Sequence, residues 1–266
     1  MVDLHTHSKY SFDADQEPAE IADMAAAAAA AGVDTLAVTD HYDLFRRAAP
    51  IRCDLTAIAR DIRAARPQFA GQVDLLFGVE LGEPHANPAQ AEALLAAYPF
   101  DVVIGSLHAM PNDLDIYFHD YANLDCDAFL QEYFDQLLEM EAHGGFDVLA
   151  HIDYPLRVMK HGDYVPSFDQ YMDRVQQVLR ACIDHGYALE LNAAGLGAWM
   201  KKVGPPQDIL YEYRRMGGER ISIGSDSHKL DNVGRGFDDC VKNARDAGFT
   251  SVTMFRNRRP EQVALG

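Results

Sequence analysis

Short apolar runs of the kind that form buried parallel strands recur along this chain, and a histidine or carboxylate follows six of them. His5 and His7 come after Val2-Asp3-Leu4, His41 closes the run from Thr35 to Asp40, and Glu80 closes the run from Val73 to Val79. His108 follows Val102 to Leu107, His151 follows Val148-Leu149-Ala150, and Asp226 and His228 come after Ile221 to Ser225. When parallel strands close into a barrel, their C-terminal ends converge on one mouth, which is where barrel active sites lie. Residues far apart in sequence would then meet in space.

Helical stretches separate these runs. An alanine-rich segment spans Pro18 to Ala31, with proline suited to a first helical turn and Gly32 to a stop. Alanine is the strongest helix former, so the segment reads as a packed helix. Further helices are expected over Leu55 to Arg66, Pro88 to Ala97, Cys126 to His143, Ser167 to His185, Gln207 to Met216 and Phe237 to Ala247. Ala188 to Asn192 reads as a strand with no obvious ligand. No linker, repeat or composition break divides the chain, so residues 1–266 are expected to form one parallel α/β domain. Two connections exceed what a minimal barrel needs, Ala109 to Asp125 and Asn192 to Pro206. Both follow strands, so both should lie over the mouth and influence substrate choice.

A net charge of −18 argues against a nucleic-acid polymer or an anionic membrane as partner. It leaves room for a small phosphorylated substrate, because bound cations can reverse the field inside one pocket. The four cysteines are scattered without paired spacing, which favours reduced thiols in a cytoplasmic protein. No run is long enough to span a bilayer. The chain does not report its oligomeric state.

Alternate residues of a strand face the same way, so His5 and His7 can hold one ion together. One such pair among 11 histidines is a weak signal. Thr39-Asp40-His41, Gly78-Val79-Glu80 and Ser225-Asp226-Ser227-His228 add further sets in the same position relative to strands, and the combination is specific.

With these motifs the chain resembles the PHP family, the polymerase and histidinol phosphatase domain, over essentially its whole length. It is most similar to the stand-alone histidinol-phosphate phosphatases of that family. The residues that carry this are Gly78 to Pro84, Gly105 to His108, Asp115 to Tyr117, Ala150 to Tyr154, Leu189 to Asn192, Gly224 to His228 and Val233 to Phe237. The resemblance implies a distorted (β/α)7 TIM-like barrel with a trinuclear site. One ion would be held by His5, His7, Glu80 and Asp226, a second by bridging Glu80 with His108 and His151, and a third by Asp13, His41 and His228. Many members have histidine where this chain has Asp13, and Asp15 is close enough to compete. The mixed nitrogen and oxygen donors suit zinc, manganese or iron. Six neutral histidines and three carboxylates carry −3, so three divalent ions would leave the shell at +3 to meet a phosphate. Glu80, Asp226 and His228 are the candidate catalytic residues. The implied reaction is attack on phosphorus by a metal-bridging hydroxide.

Arg157, just beyond the fifth of these strands, matches an arginine that contacts phosphate in the resembling enzymes; the plainer alternative is a surface arginine. Those enzymes commonly have a second arginine where this chain has Gly197. Lys201, Lys202 and Arg235 are candidate replacements, with Asn192 and His85 as further substrate contacts. Tyr117, His119 and Trp199 could line the pocket, whereas His143, His161 and His185 read as structural or exposed. The acidic run around Asp113 and Asp115 reads as solvated loop. The leading expectation is hydrolysis of L-histidinol phosphate in histidine biosynthesis. The alternatives are a family phosphoesterase acting on nucleotides or another small ester, a non-catalytic metal-stabilised module, and an amidohydrolase-like enzyme.

Overall fold

A computed structural model describes residues 1–14, 19–45 and 51–265. Asp15 and Pro18, both named above, lie outside the described residues. In chain order the strands up to the end of the main sheet are β1 (Val2–Asp3), β2 (Thr35–Val38), β3 (His41–Asp43), β4 (Ile51–Arg52), β5 (Asp74–Gly82), β6 (Val102–Ser106), β7 (Val148–Leu149), β8 (Ala188–Asn192) and β9 (Ile221–Gly224). Seven of them pair side by side in the order β1-β2-β5-β6-β7-β8-β9, every pair parallel. The first and last strands then meet. Leu4 N–H donates to Ile223 O at 3.0 Å, Asp226 N–H to His5 O at 2.8 Å, and His7 N–H to Ser227 O at 2.8 Å. The result is a nearly closed barrel of a single domain, as the alternation of elements predicts. Its closing seam joins the two ends of the chain beside His5, His7 and Asp226.

The helices pack outside: α1 (Ile21–Ala30), α2 (Leu55–Ala65), α3 (Pro88–Ala97), α4 (Cys126–His143), α5 (Tyr154–Val158), α6 (Met172–His185), α7 (Gln207–Arg215) and α8 (Phe237–Asp246). Local chemistry sets several starts. The Asp54, Asn87 and Asp125 side chains accept the N–H groups of Ala57, Gln90 and Ala128, satisfying otherwise orphaned donors. α6 begins at Met172, later than Ser167, because a 3-10 turn over Asp169–Tyr171 precedes it. The short helix α5, right after His151, escaped the sequence reading, since five residues are too few to show a helical period.

Alternation along the strands divides the core in two. One set, including Leu36, Val38, Leu75, Phe77, Val79, Val103, Leu189 and Ile221, packs outward against the helices. The other lies within the barrel: Val2, Leu4, Ala37, Leu76, Val102, Ile104, Val148, Ala150 and Ala188. Following the inward set towards the mouth leads from Leu76 to Glu80 on β5, from Ile104 to His108 beyond β6, and from Ala188 to Glu190 and Asn192 on β8. The inner face thus changes from apolar to ionisable at the level of the mouth. Gly224 serves this crowded layer, since a Cβ there would lie 2.4 Å from His5 Cβ and 2.5 Å from Glu190 Oε1.

The opposite end is closed by an antiparallel hairpin, β10 (Ser251–Arg256) and β11 (Arg259–Ala264), which the sequence reading did not include. Met254 and Phe255 join the interior cluster and plug the barrel from below. The hairpin turn is fastened by Arg258, whose guanidinium donates to Asp147 at 2.9 Å and to Gly145 O at 2.9 Å. Phe255→Ala should therefore leave a cavity and cost about 3–5 kcal/mol of stability, measurable by urea unfolding. An unchanged midpoint would mean that the hairpin is not part of the core.

Candidate metal centre

Glu80 lies fully buried at the mouth, among five imidazoles. Its two oxygens face different sets. Oε1 is 3.0 Å from His108 Nε2 and 3.0 Å from His151 Nε2. Oε2 is 3.2 Å from His5 Nε2, 3.5 Å from His7 Nε2 and 3.0 Å from His41 Nδ1. Asp226 completes the first corner, its Oδ1 3.3 Å from His7 Nε2 and 3.7 Å from His5 Nε2. Its backbone is left-handed, at φ 54°, which turns the carboxylate back into the mouth beyond β9. Asp13 Oδ2 lies 2.9 Å from His228 Nε2 and 3.5 Å from His41 Nε2, forming a more open corner with a 36% exposed side chain. All nine candidate ligands named from the sequence therefore come together.

The electrostatics of the metal-free cluster are those of imidazoles and carboxylates locked together. Burial disfavours charge on His5, His41 and His108, but Glu80 and its neighbours outweigh it. His41 is raised to about 10, and the other two also move well up. Burial likewise opposes ionisation of Glu80, yet His41, His5 and His108 hold it well below the carboxylate range. His7 goes the other way, pushed down to about 3 by burial and by the neighbouring His228 and His41.

The arrangement leaves polar atoms stranded. His5 Nε2, His7 Nε2, His41 Nδ1, Glu80 Oε2 and His228 Nε2 are buried without a hydrogen-bond partner. Buried polar atoms are normally satisfied, so such a convergence calls for an occupant. Imidazole nitrogens and carboxylate oxygens within 4.8 Å of one another form several overlapping triads, including His5-His7-Glu80, Glu80-His108-His151 and His7-His41-His228. The donor set fits divalent metal ions.

Two carboxylates of the site were not singled out from sequence. Glu190, on the strand read as free of ligands, is buried and lies 2.7 Å from His5 Nδ1. Asp43, on β3, lies 3.4 Å from His108 Nδ1 and 3.9 Å from His41 Nδ1. β3 itself starts at His41 and pairs with β5, so His41 opens a strand instead of closing one. Glu190 is hidden in the apolar run of β8; its signal is the inward parity it shares with Ala188 and Asn192.

The substrate-contact candidates separate. Arg157 is buried, with a 7% exposed side chain, which excludes the surface reading. Its fork donates to both Asp153 oxygens at 3.1 Å, and Nη1 lies 3.8 Å from Asp226 Oδ2. Asn192 is in the site but committed: Nδ2 donates to Glu190 and Asp226, and Oδ1 accepts from Ala194 N–H. His85 turns away from the mouth to Gln136 on α4, with Nε2 and Oε1 2.9 Å apart. Lys201 and Lys202 are exposed, and Lys201 Nζ donates back to Gly197 O. Arg235 is exposed and bonded to Asn232. Trp199 donates to Leu156 O and stacks under Lys160, while Tyr117 is 63% exposed. His119 packs edge-on against Phe129. The cavity at the mouth is instead lined by Phe12, Asp115 and Tyr154 together with the ligand set. Asp115 is therefore buried beside the site, contrary to the solvated-loop reading, and accepts from Tyr117 N–H at 2.8 Å.

Burial among carboxylates raises the proton affinity of His5, His41 and His108, so a divalent ion such as zinc that takes their nitrogens would displace protons. Titration calorimetry at pH 7 in buffers of different ionisation enthalpy should register proton release, and affinity should weaken as pH falls from 8 to 6. Equal heats in all buffers would contradict this picture.

Comparison with known proteins agrees with the geometry. The PHP domain model matches residues 3–194. A probable histidinol-phosphatase of Deinococcus radiodurans is 32% identical over 273 residues, spanning 97% of this chain and 98% of the relative. The histidinol-phosphatase of Lactococcus lactis is 24% identical over 85% of this chain and 84% of its own length. The fold matches that of a crystal structure of histidinol phosphate phosphatase from Lactococcus lactis, complexed with zinc, L-histidinol and phosphate, at a TM-score of 0.88. That match has 22% sequence identity and covers 98% of both chains. Among the described residues no helix is long and apolar enough to cross a membrane. This chain belongs to the PHP domain family, and within it is histidinol-phosphatase-like.

Proposed function

We propose that the protein is a metal-dependent phosphomonoesterase that hydrolyses L-histidinol phosphate, with water, to L-histidinol and phosphate in histidine biosynthesis. The observation that carries this reading is the division of Glu80: one oxygen faces His108 and His151, the other His5, His7 and His41. A single carboxylate so placed suits a bridge between two ions. His5, His7, Glu80 and Asp226 would hold the first ion, Glu80, His108 and His151 the second, and Asp13, His41 and His228 a third. Zinc, manganese and iron all suit these donors. Bound there, divalent ions supply Lewis acidity that lowers the pKa of water and neutralises phosphate charge.

The chain's own groups do the rest. Arg157, kept charged by Asp153 despite burial, stands beside Asp226 where a phosphate oxygen could accept from its fork. The helix α5 that carries Arg157 begins three residues after His151, so the proposed phosphate contact and a proposed metal ligand are close in the chain. Phe12 and Tyr154 line the cavity. The choice of L-histidinol phosphate is supported by the names of the full-length relatives and by the ligands of the Lactococcus complex. The free thiols of Cys53, Cys126, Cys182 and Cys240 support the cytoplasm as its compartment.

A panel of phosphate esters tests the substrate. L-Histidinol phosphate should be hydrolysed well ahead of nucleoside monophosphates, with Arg157 sufficing for the phosphate although Gly197 stands where the resembling enzymes carry a second arginine. The reverse preference would replace histidinol phosphate by a nucleotide. Glu80→Gln should stay folded by circular dichroism, lose metal by elemental analysis, and lose turnover by at least about a hundredfold. An unfolded variant would show that Glu80 is needed for the fold itself.

A further inference from the structure

Glu190 is buried inside the barrel at 1% exposure, and three donors converge on it. His5 Nδ1 lies 2.7 Å from Oε1. The His151 backbone N–H donates to Oε2 at 2.9 Å, and Asn192 Nδ2 donates to the same oxygen at 3.1 Å. Asn192 extends the connection, donating from Nδ2 to Asp226 Oδ2 at 3.1 Å. One carboxylate therefore touches His5 by its ring, His151 by its backbone, and Asp226 through one amide.

We propose that Glu190 is a positioning residue for metal binding: it accepts a hydrogen bond from His5 Nδ1–H, which keeps the proton on Nδ1 so that the Nε2 lone pair faces the ion, and it fixes the strand end that carries His151. This rests on the reading of His5 and His151 as metal ligands. A neutral imidazole has one N–H and one lone pair, and the partner of the N–H decides which nitrogen can bind metal. His5 Nε2 points to Glu80 Oε2 at 3.2 Å and has no hydrogen-bond partner, as a ligand atom should. The alternative tautomer would put a proton on that atom and set two lone pairs, those of Nδ1 and Oε1, against each other. Gly224 is the neighbour that lets His5 and Glu190 approach, and any Cβ there would strike both. Glu190 also ties the two proposed ion positions together from behind, since His5 belongs to one and His151 to the other.

Glu190→Gln tests the role closely, because the amide offers one acceptor oxygen where three donors converge. Either its NH2 faces His5 Nδ1 and drives the proton to Nε2, or it confronts the His151 N–H. Zinc affinity, measured by competition with a chromophoric chelator, should fall about 10- to 100-fold while the far-ultraviolet circular dichroism is retained. In zinc-loaded wild-type protein, 15N spectra of the imidazoles should place the His5 proton on Nδ1. A folded Glu190→Gln with wild-type zinc affinity would overturn the proposal, as it would if Glu190 merely helped hold the fold. A wild-type His5 protonated on Nε2 would overturn it as well, and that measurement needs no folded variant. Wild-type protein that binds no zinc would instead sink the metal reading on which the proposal rests.

Discussion

Everything at the mouth of this barrel answers to one constraint, the burial of the Glu80 carboxylate. An ionised carboxylate cannot be taken out of water without compensation, and here the compensation is a shell of five imidazoles. Those imidazoles are themselves buried, so each needs a partner on its far nitrogen or an ion on its near one. Glu190 serves His5, and Asp43 faces His108. His5 Nε2, His7 Nε2 and His41 Nδ1 are left facing the Glu80 carboxylate. Protons can satisfy such a cluster in part, and divalent ions can satisfy it more fully, because an ion bonds to several lone pairs at once. Metal affinity and local stability are therefore the same quantity viewed twice.

The sequence made the candidate ligands legible because two local signals coincide. An apolar run marks a buried strand, and the polar residue that ends it marks the mouth. His5, His7, Glu80, His108, His151 and Asp226 all sit at such junctions. Glu190 does not: it is in the middle of Ala188-Leu189-Glu190-Leu191-Asn192, where a lone acid among apolar neighbours carries no sign of which way it faces. Only the parity of the strand, set by its pairing with β7 and β9, turns it inward. Asp43 escaped for a related reason, since β3 exists only through pairing with β4 and β5. The closing hairpin depends in the same way on contacts with the barrel floor.

Substrate contacts were harder to read than ligands, and loop geometry explains why. Arg157 was named from the resemblance alone, and the short helix that carries it, Tyr154–Val158, brings it beside Asp226. Lys201, Lys202 and Arg235 sit on loops whose course is set by turns, and those turns aim them at solvent. His85 follows a strand end closely in sequence, but the left-handed backbone of Glu83, at φ 51°, redirects the chain towards α4. Proximity in sequence to the mouth is thus a weaker guide than the dihedral angle between the two.

The two ends of the barrel divide the work of stability and chemistry. Below the ligand layer, the interior is apolar and sealed by Met254 and Phe255. Above it, buried polar atoms are left without partners, an arrangement that costs stability in the absence of ions. The floor can offset that cost because it is remote from the reacting groups and can be packed for density alone. The closing seam between β1 and β9 links the two halves: the backbone bonds that shut the barrel run through His5, His7 and Asp226 themselves. A distortion of the seam would move ligands directly. The metal site is therefore built into the closure of the fold, which is why residues from both ends of the chain are needed to form one corner of it.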